Sequence, residues 1–319
     1  MDKTPHIHRL VDEGKYYFLS RPRRFGKSLL LDTIDCLFAG RQPLFEGLFI
    51  LTLDTRFTTI CGYTDADLDE VFAPELPGLD RAEIKHWYNG YRWGGEETSS
   101  VYNPFDVLLL LQKRVFEPYW FETATPTFLV NLLQARGVFT PELAAWHTRP
   151  ALLNQFDVDA ISTDALLFQS GYLTLNEVHS EVPNRPLYRL GFPNQEVSVS
   201  LNEVLLPILG VKDAVIDQFM LRLPRILRNA DMAGLETHLK ALFAGLPHDW
   251  YRNNPIAQYE GHYASVFYSH FAALGVRVTV EDASNYGKVD MSVEFDGHLY
   301  LFEFKVVEQL PEGSALQQI

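Results

Sequence analysis

The sequence is poor in cysteine, in positive charge and in long apolar runs, and each shortage excludes something. Two cysteines, Cys36 and Cys61, in 319 residues are too few for a disulfide framework, and neither lies in a CxxC or Cys/His cluster. That usage fits a reducing compartment. No apolar stretch approaches the roughly 20 residues needed to cross a bilayer. The opening MDKTPHIHRLVDEGKYY has no apolar signal core. The expectation is a cytoplasmic protein with no membrane partner. Lysine and arginine number 27 against 41 acids, a net charge of −14. Bulk charge therefore does not draw the chain to nucleic acid, and any such contact has to come from a local patch. The densest basic patch is Arg21, Arg23, Arg24 and Lys27. Internal repeats and low-complexity tracts are absent too.

What is present is apolar and aromatic. Hydrophobic residues make up 47% of the chain, including 22 Phe and 15 Tyr, enough to fill large cores in two or three domains. Residues 16–20, YYFLS, predict a short buried strand; SRPRRFGKS follows as a loop, and LLLDTIDCLFAG has helical spacing up to a capping Gly40. The text changes character near Leu51. Residues 64–91, 104–135 and 141–168 predict mainly helices, with loops at EPYWFETATP and HTRP. SGYLTLNEV and PLYRLGF predict strands, and helices resume after Pro193 to about Leu246. PHDWYRNNP predicts a linker. From Glu260 the pattern is mixed α/β: YEGHYASVFYSHFAALG is an apolar-faced helix closed by Gly275, and VRVTVED, KVDMSVEF and HLYLFEFKVV are strands.

Asp296-Gly297 between the last two strands is a strong two-residue hairpin signal. It pairs Phe295 with His298, and stepping back along both strands sets Asp290 opposite Glu303. Directly opposed side chains have Cβ atoms roughly 4.5–5.5 Å apart. Two carboxylates that close repel unless a cation lies between them, and hard ions such as Mg²⁺ or Mn²⁺ take such oxygen ligands. Lys305 shares the face of Glu303. Asp290 and Glu303 as metal ligands, with Lys305 orienting the nucleophile or steadying developing charge, suit phosphodiester hydrolysis. The competing reading is a surface hairpin with an ordinary Glu–Lys face. LYLFEFKVV is apolar on both sides of Glu303 and predicts a strand buried on both faces, which favours the site.

A second motif stands between strand and helix. Arg21-Pro-Arg-Arg-Phe-Gly26-Lys27-Ser28 ends in the GKS of a phosphate loop, with Arg21 where the first glycine is expected. Backbone amides and the helix start can cradle phosphate, Lys27 reaching the β/γ oxygens and Ser28 a Mg²⁺. The bland alternative is a basic loop capping a core helix. Arg24, Gly26, Lys27 and Ser28 are the candidate ATP-binding residues.

These segments resemble a family. GKVDMSVEFDGHLYLFEFK looks like the D…ExK core of the PD-(D/E)XK nuclease superfamily. Glu260 resembles its first-helix glutamate, with a dipole-favoured helix-start acid as the alternative, and Gln318 could match a polar residue near the site. The whole chain resembles AAA-ATPase-like proteins with a C-terminal PD-(D/E)XK nuclease domain. The likeness runs through VDEGKYYFLSRPRRFGKSLLLDTI, LTLDTRFTTICGYT, IKHWYNGYRW, VYNPFDVLLLL, ATPTFLVNLL, LLFQSGYLTL and YRLGFPNQEV. In that family the RPRRFGK[ST] form of the loop is usual. The resemblance also implies an ATPase core between LFEGLFI and LTLDTRFTTICGYT, with the acidic strand for Mg²⁺ and water. Here Ile50 runs straight into Leu51, so the chain reads as an internally shortened member. It also starts late in the family's first segment and ends as a helix begins.

The expected fold is therefore α/β in three pieces: a P-loop ATPase remnant at 1–50, a mainly helical middle region at 51–250, and a partial restriction-endonuclease-like domain at 251–319. The expected function is ATP binding with Mg²⁺-dependent hydrolysis of nucleic acid; the alternative is a nucleotide-binding regulatory module or a remnant without turnover. Scattered histidines, with His262 and His270 eight apart, do not predict a zinc site. Tyr88-Asn89-Gly90-Tyr91 carries no chemistry legible from sequence, and the oligomeric state is left open.

Overall fold

A computed structural model of the protein describes residues 6, 9–10, 17–28, 30–31, 49–50, 55–94, 98–123, 127–136, 138, 140–153, 161–180, 185–246, 260–284 and 287–304. The elements in chain order are β1 Tyr17–Phe18, β2 Phe49–Ile50, α1 Asp65–Val71, α2 Arg81–Tyr88, α3 Pro104–Lys113, α4 Tyr119–Glu122 and α5 Thr127–Ala135. Then come β3 Trp146–Thr148, α6 Pro150–Leu153, α7 Thr163–Ser170, β4 Thr174–His179, β5 Leu187–Gly191 and α8 Gln195–Leu205. Last are α9 Asp213–Arg228, α10 Met232–Ala244, α11 Glu260–Ala272, β6 Arg277–Ser284, β7 Gly287–Phe295 and β8 His298–Phe302. The architecture is mixed α/β. Two compact units divide it: Met1–Thr125 with Leu143–Val197, and Pro126–Glu142 with Ser198–Ile319.

In the first unit β1 and β2 pair in parallel, Tyr17 with Phe49 and Phe18 with Ile50. Parallel neighbours need a crossover connection, and Lys27, Ser28, Leu30 and Leu31 are helical on that path. Helix starts follow their caps. Thr64 and Asp67 form a capping box on α1, Asp80 caps α2, and Asn103 followed by Pro104 opens α3. Leu68, Ile84, Tyr88, Tyr102, Val107, Leu110 and Tyr119 form one core cluster there. β4 and β5, the two expected strands, pair antiparallel, and β3 adds to them in the order β3-β5-β4. The strand Trp146–Thr148 falls where a stretch that reads as helical gives way to the expected HTRP loop. Three residues give no periodicity to detect, and pairing with β5 decides the conformation.

Two glycines show why separated segments of this unit must meet. Gly90 has φ +105°, and a Cβ there would overlap the Pro193 carbonyl. Gly171 has φ +88°, and a Cβ there would strike the Pro22 ring. The Asn-Gly-Tyr turn is thus pressed on Pro193-Asn194, and the Ser-Gly-Tyr turn on the basic loop.

The second unit packs α9, α10 and α11 around Leu206, Ile216, Phe219, Leu242 and Val266. Its antiparallel sheet has the order β6-β7-β8. Phe267 and Phe271 of α11 lie on Phe302, and Phe267 also meets Phe304. The Tyr300 hydroxyl donates to the Leu227 carbonyl at the end of α9. Asp296 and Gly297 have φ of +49° and +80°, the two positive values a type I′ hairpin turn requires. In α10 and α11, His238 and His270 are buried with Nε2 atoms 2.8 Å apart.

Candidate metal centre and phosphate loop

The hairpin register is the one the turn predicts. Phe295 pairs with His298, Val293 with Tyr300, and Met291 with Phe302, where the ladder ends. Continued one step, it sets Asp290 beside Glu303. The chain stays close there, because the Phe304 amide donates to Asp290 Oδ2 at 2.8 Å. Side chains alternate as the pleat demands. Tyr300 is buried, and Phe302 and Phe304 turn toward the aromatic side of α11. Asp290, Ser292, Leu301 and Glu303 share the opposite face by parity.

One expectation fails on this strand. Leu299 and Leu301 are 58% and 59% exposed and Glu303 is exposed, so β8 is not buried on both faces. It is the last strand of its sheet, and only its aromatic face is covered among the described residues. The cost of burying charge, which favoured a site at Glu303, therefore does not apply there. Asp290, half-buried and hydrogen-bonded, is the constrained member. Lys305 lies outside the described residues. Glu260 opens α11, but its side chain also lies outside them, as does Gln318.

Chemically, Asp290 and Glu303 offer hard oxygens suited to Mg²⁺ or Mn²⁺, an ion that keeps several waters and needs only one or two protein carboxylates. Asp290 retains one oxygen beyond its bond to Phe304. No group of three or more His, Cys, Asp or Glu that could hold a metal occurs among the described residues.

The basic loop is built from both ends of the first unit. Arg21 is buried, 4.3 Å above the Trp93 ring, and donates to the Ser20 and Phe57 carbonyls. Arg23 lies 4.9 Å over Trp120 and donates to its carbonyl, while Trp120 Nε1 donates back to the Arg23 carbonyl at 3.1 Å. Arg24 adopts φ +59° and lies 4.2 Å over Phe105. Phe25 is buried edge-on against Tyr91 and Trp93. Gly26, at φ +81°, has nothing within 4 Å of where a Cβ would stand, and Leu30 N–H donates to its carbonyl at 2.9 Å as the helix begins at Lys27. Ser28 is exposed. The Lys27 ammonium donates to the Arg21 and Pro22 carbonyls at 2.6 and 2.7 Å, curling the loop around itself, and burial and Arg21 lower its pKa. Gly26, Lys27, Ser28 and Arg24 thus share one loop end, with open space over Gly26 where a phosphate's approach would need it.

Sequence reasoning missed the carboxyls beneath this loop. Asp106 and Glu196 are both fully buried. Each falls in a segment quoted for the family resemblance, VYNPFDVLLLL and YRLGFPNQEV, and an acid next to VLLLL on a helix was the available signal.

A strand–basic loop–helix start in one unit and an acidic hairpin under an aromatic helix in the other define a chain that joins an ATPase-like segment to a nuclease-like one. Comparison with known proteins agrees. Residues 1–69 match the family described as "Predicted AAA-ATPase", and residues 258–319 match the PD-(D/E)XK nuclease superfamily. A curated relative from Azotobacter chroococcum mcd 1, "Uncharacterized protein in vnfD 5'region", is 40% identical over 457 residues, covering 100% of this chain and 88% of its own length. That span exceeds the 319 residues here, so the relative holds residues with no counterpart in this chain. No solved structure matches. The chain belongs to the AAA-ATPase-like proteins with a C-terminal PD-(D/E)XK nuclease domain, as an internally shortened member.

Proposed function

We propose that the chain binds a nucleotide at the loop of Arg24, Gly26, Lys27 and Ser28, and cleaves phosphodiesters of nucleic acid at Asp290, Glu303 and Lys305. The observation that carries the nuclease half is the β7–β8 register with the Asp290–Phe304 bond, which holds the two carboxylates on one face of neighbouring strands. A bound Mg²⁺ or Mn²⁺ would neutralise phosphate charge and supply a water of lowered pKa. Asp290 and Glu303 hold that ion, Asp290 with its orientation fixed by the Phe304 amide. Lys305, two residues on from Glu303 in sequence, steadies charge developing on the phosphate. At the loop, amides at the helix start and the Lys27 ammonium receive phosphates. To do so Lys27 exchanges its loop carbonyls for phosphate oxygens.

The cleavage test uses purified chain with single- and double-stranded DNA and RNA, in Mg²⁺ or Mn²⁺ against a chelator. Activity is expected only with metal and not in Asp290→Asn, Glu303→Gln or Lys305→Ala. Equal cleavage in the chelator, or in all three variants, would overturn the assignment. Lys27→Ala should weaken binding of a labelled ATP analogue. We also expect negligible ATP hydrolysis, since turnover needs an acid for Mg²⁺ and a group to position water, and the segment that would carry them reads as lost between Ile50 and Leu51. Phosphate release above a Lys27→Ala control would refute that. A second reading, a nucleotide-binding regulatory module without cleavage, draws on the exposure of Glu303 among the described residues; nucleotide binding without metal-dependent cleavage would select it.

A further inference from the structure

The three segments Asn89-Gly90-Tyr91, Asn103–Asp106 and Asn194–Glu196 converge beneath the arginines of the basic loop. Asn194 Nδ2 donates to the Asn89 carbonyl, Asn194 Oδ1 caps the start of α8 through Val197 N–H, and Asn103 Oδ1 caps α3 through Phe105 N–H. These caps start the two helices so that Asp106 and Glu196, each in the first turn, are buried in the core. Their oxygens approach within hydrogen-bonding range. Asp106 Oδ1 and Oδ2 and Glu196 Oε2 are buried without a well-formed hydrogen bond, the Trp120 amide that donates to Glu196 Oε1 only tempering the rise at Asp106. Two carboxylates have no hydrogen to share, so only a proton held between them turns this contact into a bond.

Each acid supports the platform of one arginine. Glu196 Oε1 accepts the amides of Trp120 and Phe121 at 2.8 and 3.1 Å, and Trp120 is the ring beneath Arg23. Asp106 follows Phe105, the ring beneath Arg24. We propose that Asp106 and Glu196 share one proton and that the singly charged pair is a positioning device, holding Arg23 and Arg24 in the conformation in which the loop receives phosphate. The proposal rests on the nucleotide-binding reading above. A second proton, taken up by Glu196 as pH falls, would discharge the pair and leave both arginines without the charge that holds them.

The surrounding groups leave this pair as the part that titrates near neutrality. Burial raises Asp106 well above the carboxylate range, with the neighbouring Glu196 charge adding to it, and burial raises Glu196 to about 7. Tyr88, Tyr91 and Tyr119 face the pair and are raised by burial, so they stay neutral. Arg24 and Arg23 supply the opposing charge to Asp106 and Glu196 respectively.

The test compares the full chain with Glu196→Gln, which keeps the acceptor for the Trp120 and Phe121 amides but cannot ionise, and with Asp106→Asn. Affinity for a labelled ATP analogue is measured from pH 6 to 8. Wild-type affinity, taken relative to Glu196→Gln at each pH so that ionisation of the nucleotide cancels, should rise roughly five- to tenfold as Glu196 ionises beside protonated Asp106 and the singly charged pair forms, about the effect of one unit of pKa difference. A nucleotide-free readout runs in parallel: at pH 8, trypsin should cut after Arg23 and Arg24 several-fold more slowly in wild type than in Glu196→Gln. Parallel affinity profiles with equal cutting rates would overturn the proposal. Absence of nucleotide binding in every protein at every pH, with the cutting difference intact, would instead sink the nucleotide reading and leave the proton-sharing pair standing.

Discussion

At the residue scale, glycines of positive φ separate into two kinds. Gly297, in the hairpin turn, has open space around it, so Gly297→Ala meets only backbone strain, about 1 kcal/mol. Gly90 faces the Pro193 carbonyl, and Gly90→Ala must also push two segments apart. It should cost upwards of about 2 kcal/mol in a denaturant titration; equal losses for the two would show that the approach is not tight. Asp290 has two jobs that substitutions can part. Asp290→Asn keeps an acceptor for the Phe304 amide and should melt near wild type while losing metal-dependent cleavage. Asp290→Ala leaves that amide unmet and should cost about 1–2 kcal/mol as well. The candidate phosphate-loop and hairpin residues were legible because their signals are local: GKS after an apolar strand, Asp-Gly between alternating strands. Asp106 and Glu196 were not, because their meaning comes from meeting 90 positions apart.

At the element scale, the same division explains what a reader of the sequence gets right. The helix from Glu260, the strands β6 to β8 and their register follow from period and turn type, which neighbours in sequence determine. Whether β8 is covered depends on what lies against it in space, and LYLFEFKVV cannot report that Leu299 and Leu301 stand exposed. The short strand β3 escapes for a similar reason, since its partner β5 is 40 residues away. The hydroxyl of Tyr300 ties β8 to the end of α9. Tyr300→Phe should therefore lower stability by about 1 kcal/mol and speed amide exchange in β8 ahead of β6; unchanged protection in β8 would remove that tie from the account.

At the scale of the whole molecule, the two units respond to pH in opposite directions. Raised acids favour the folded state below their ordinary pKa and lose that advantage as pH climbs through the folded value. Asp106 and Glu196 thus weaken the first unit as pH passes from about 4.5 toward about 7 and beyond. Buried imidazoles act the other way. Burial lowers His238 to about 4 and His270 to about 3, so the second unit is favoured above pH 6.5 and weakens as pH falls toward 4. Hydrogen exchange followed by peptide mass should show the first unit opening more readily at pH 8, and the second at pH 4.5, each relative to its own behaviour at pH 6.5. A common optimum would contradict both assignments.

The sockets for the basic loop, Phe57, Trp93, Phe105, Trp120 and Gly171, all lie downstream of Thr55. Between two packed anchors, the entropy of closing a flexible connection grows only as the logarithm of its length. Each doubling costs about 0.6 kcal/mol. An insertion of about a hundred flexible residues between loop and sockets would weaken the docking by only about 1–2 kcal/mol on that scale, so material could be spliced in or out there while the packing of loop on socket persists. Length at this point is close to neutral for the fold, and what it alters is which chemistry the fold carries.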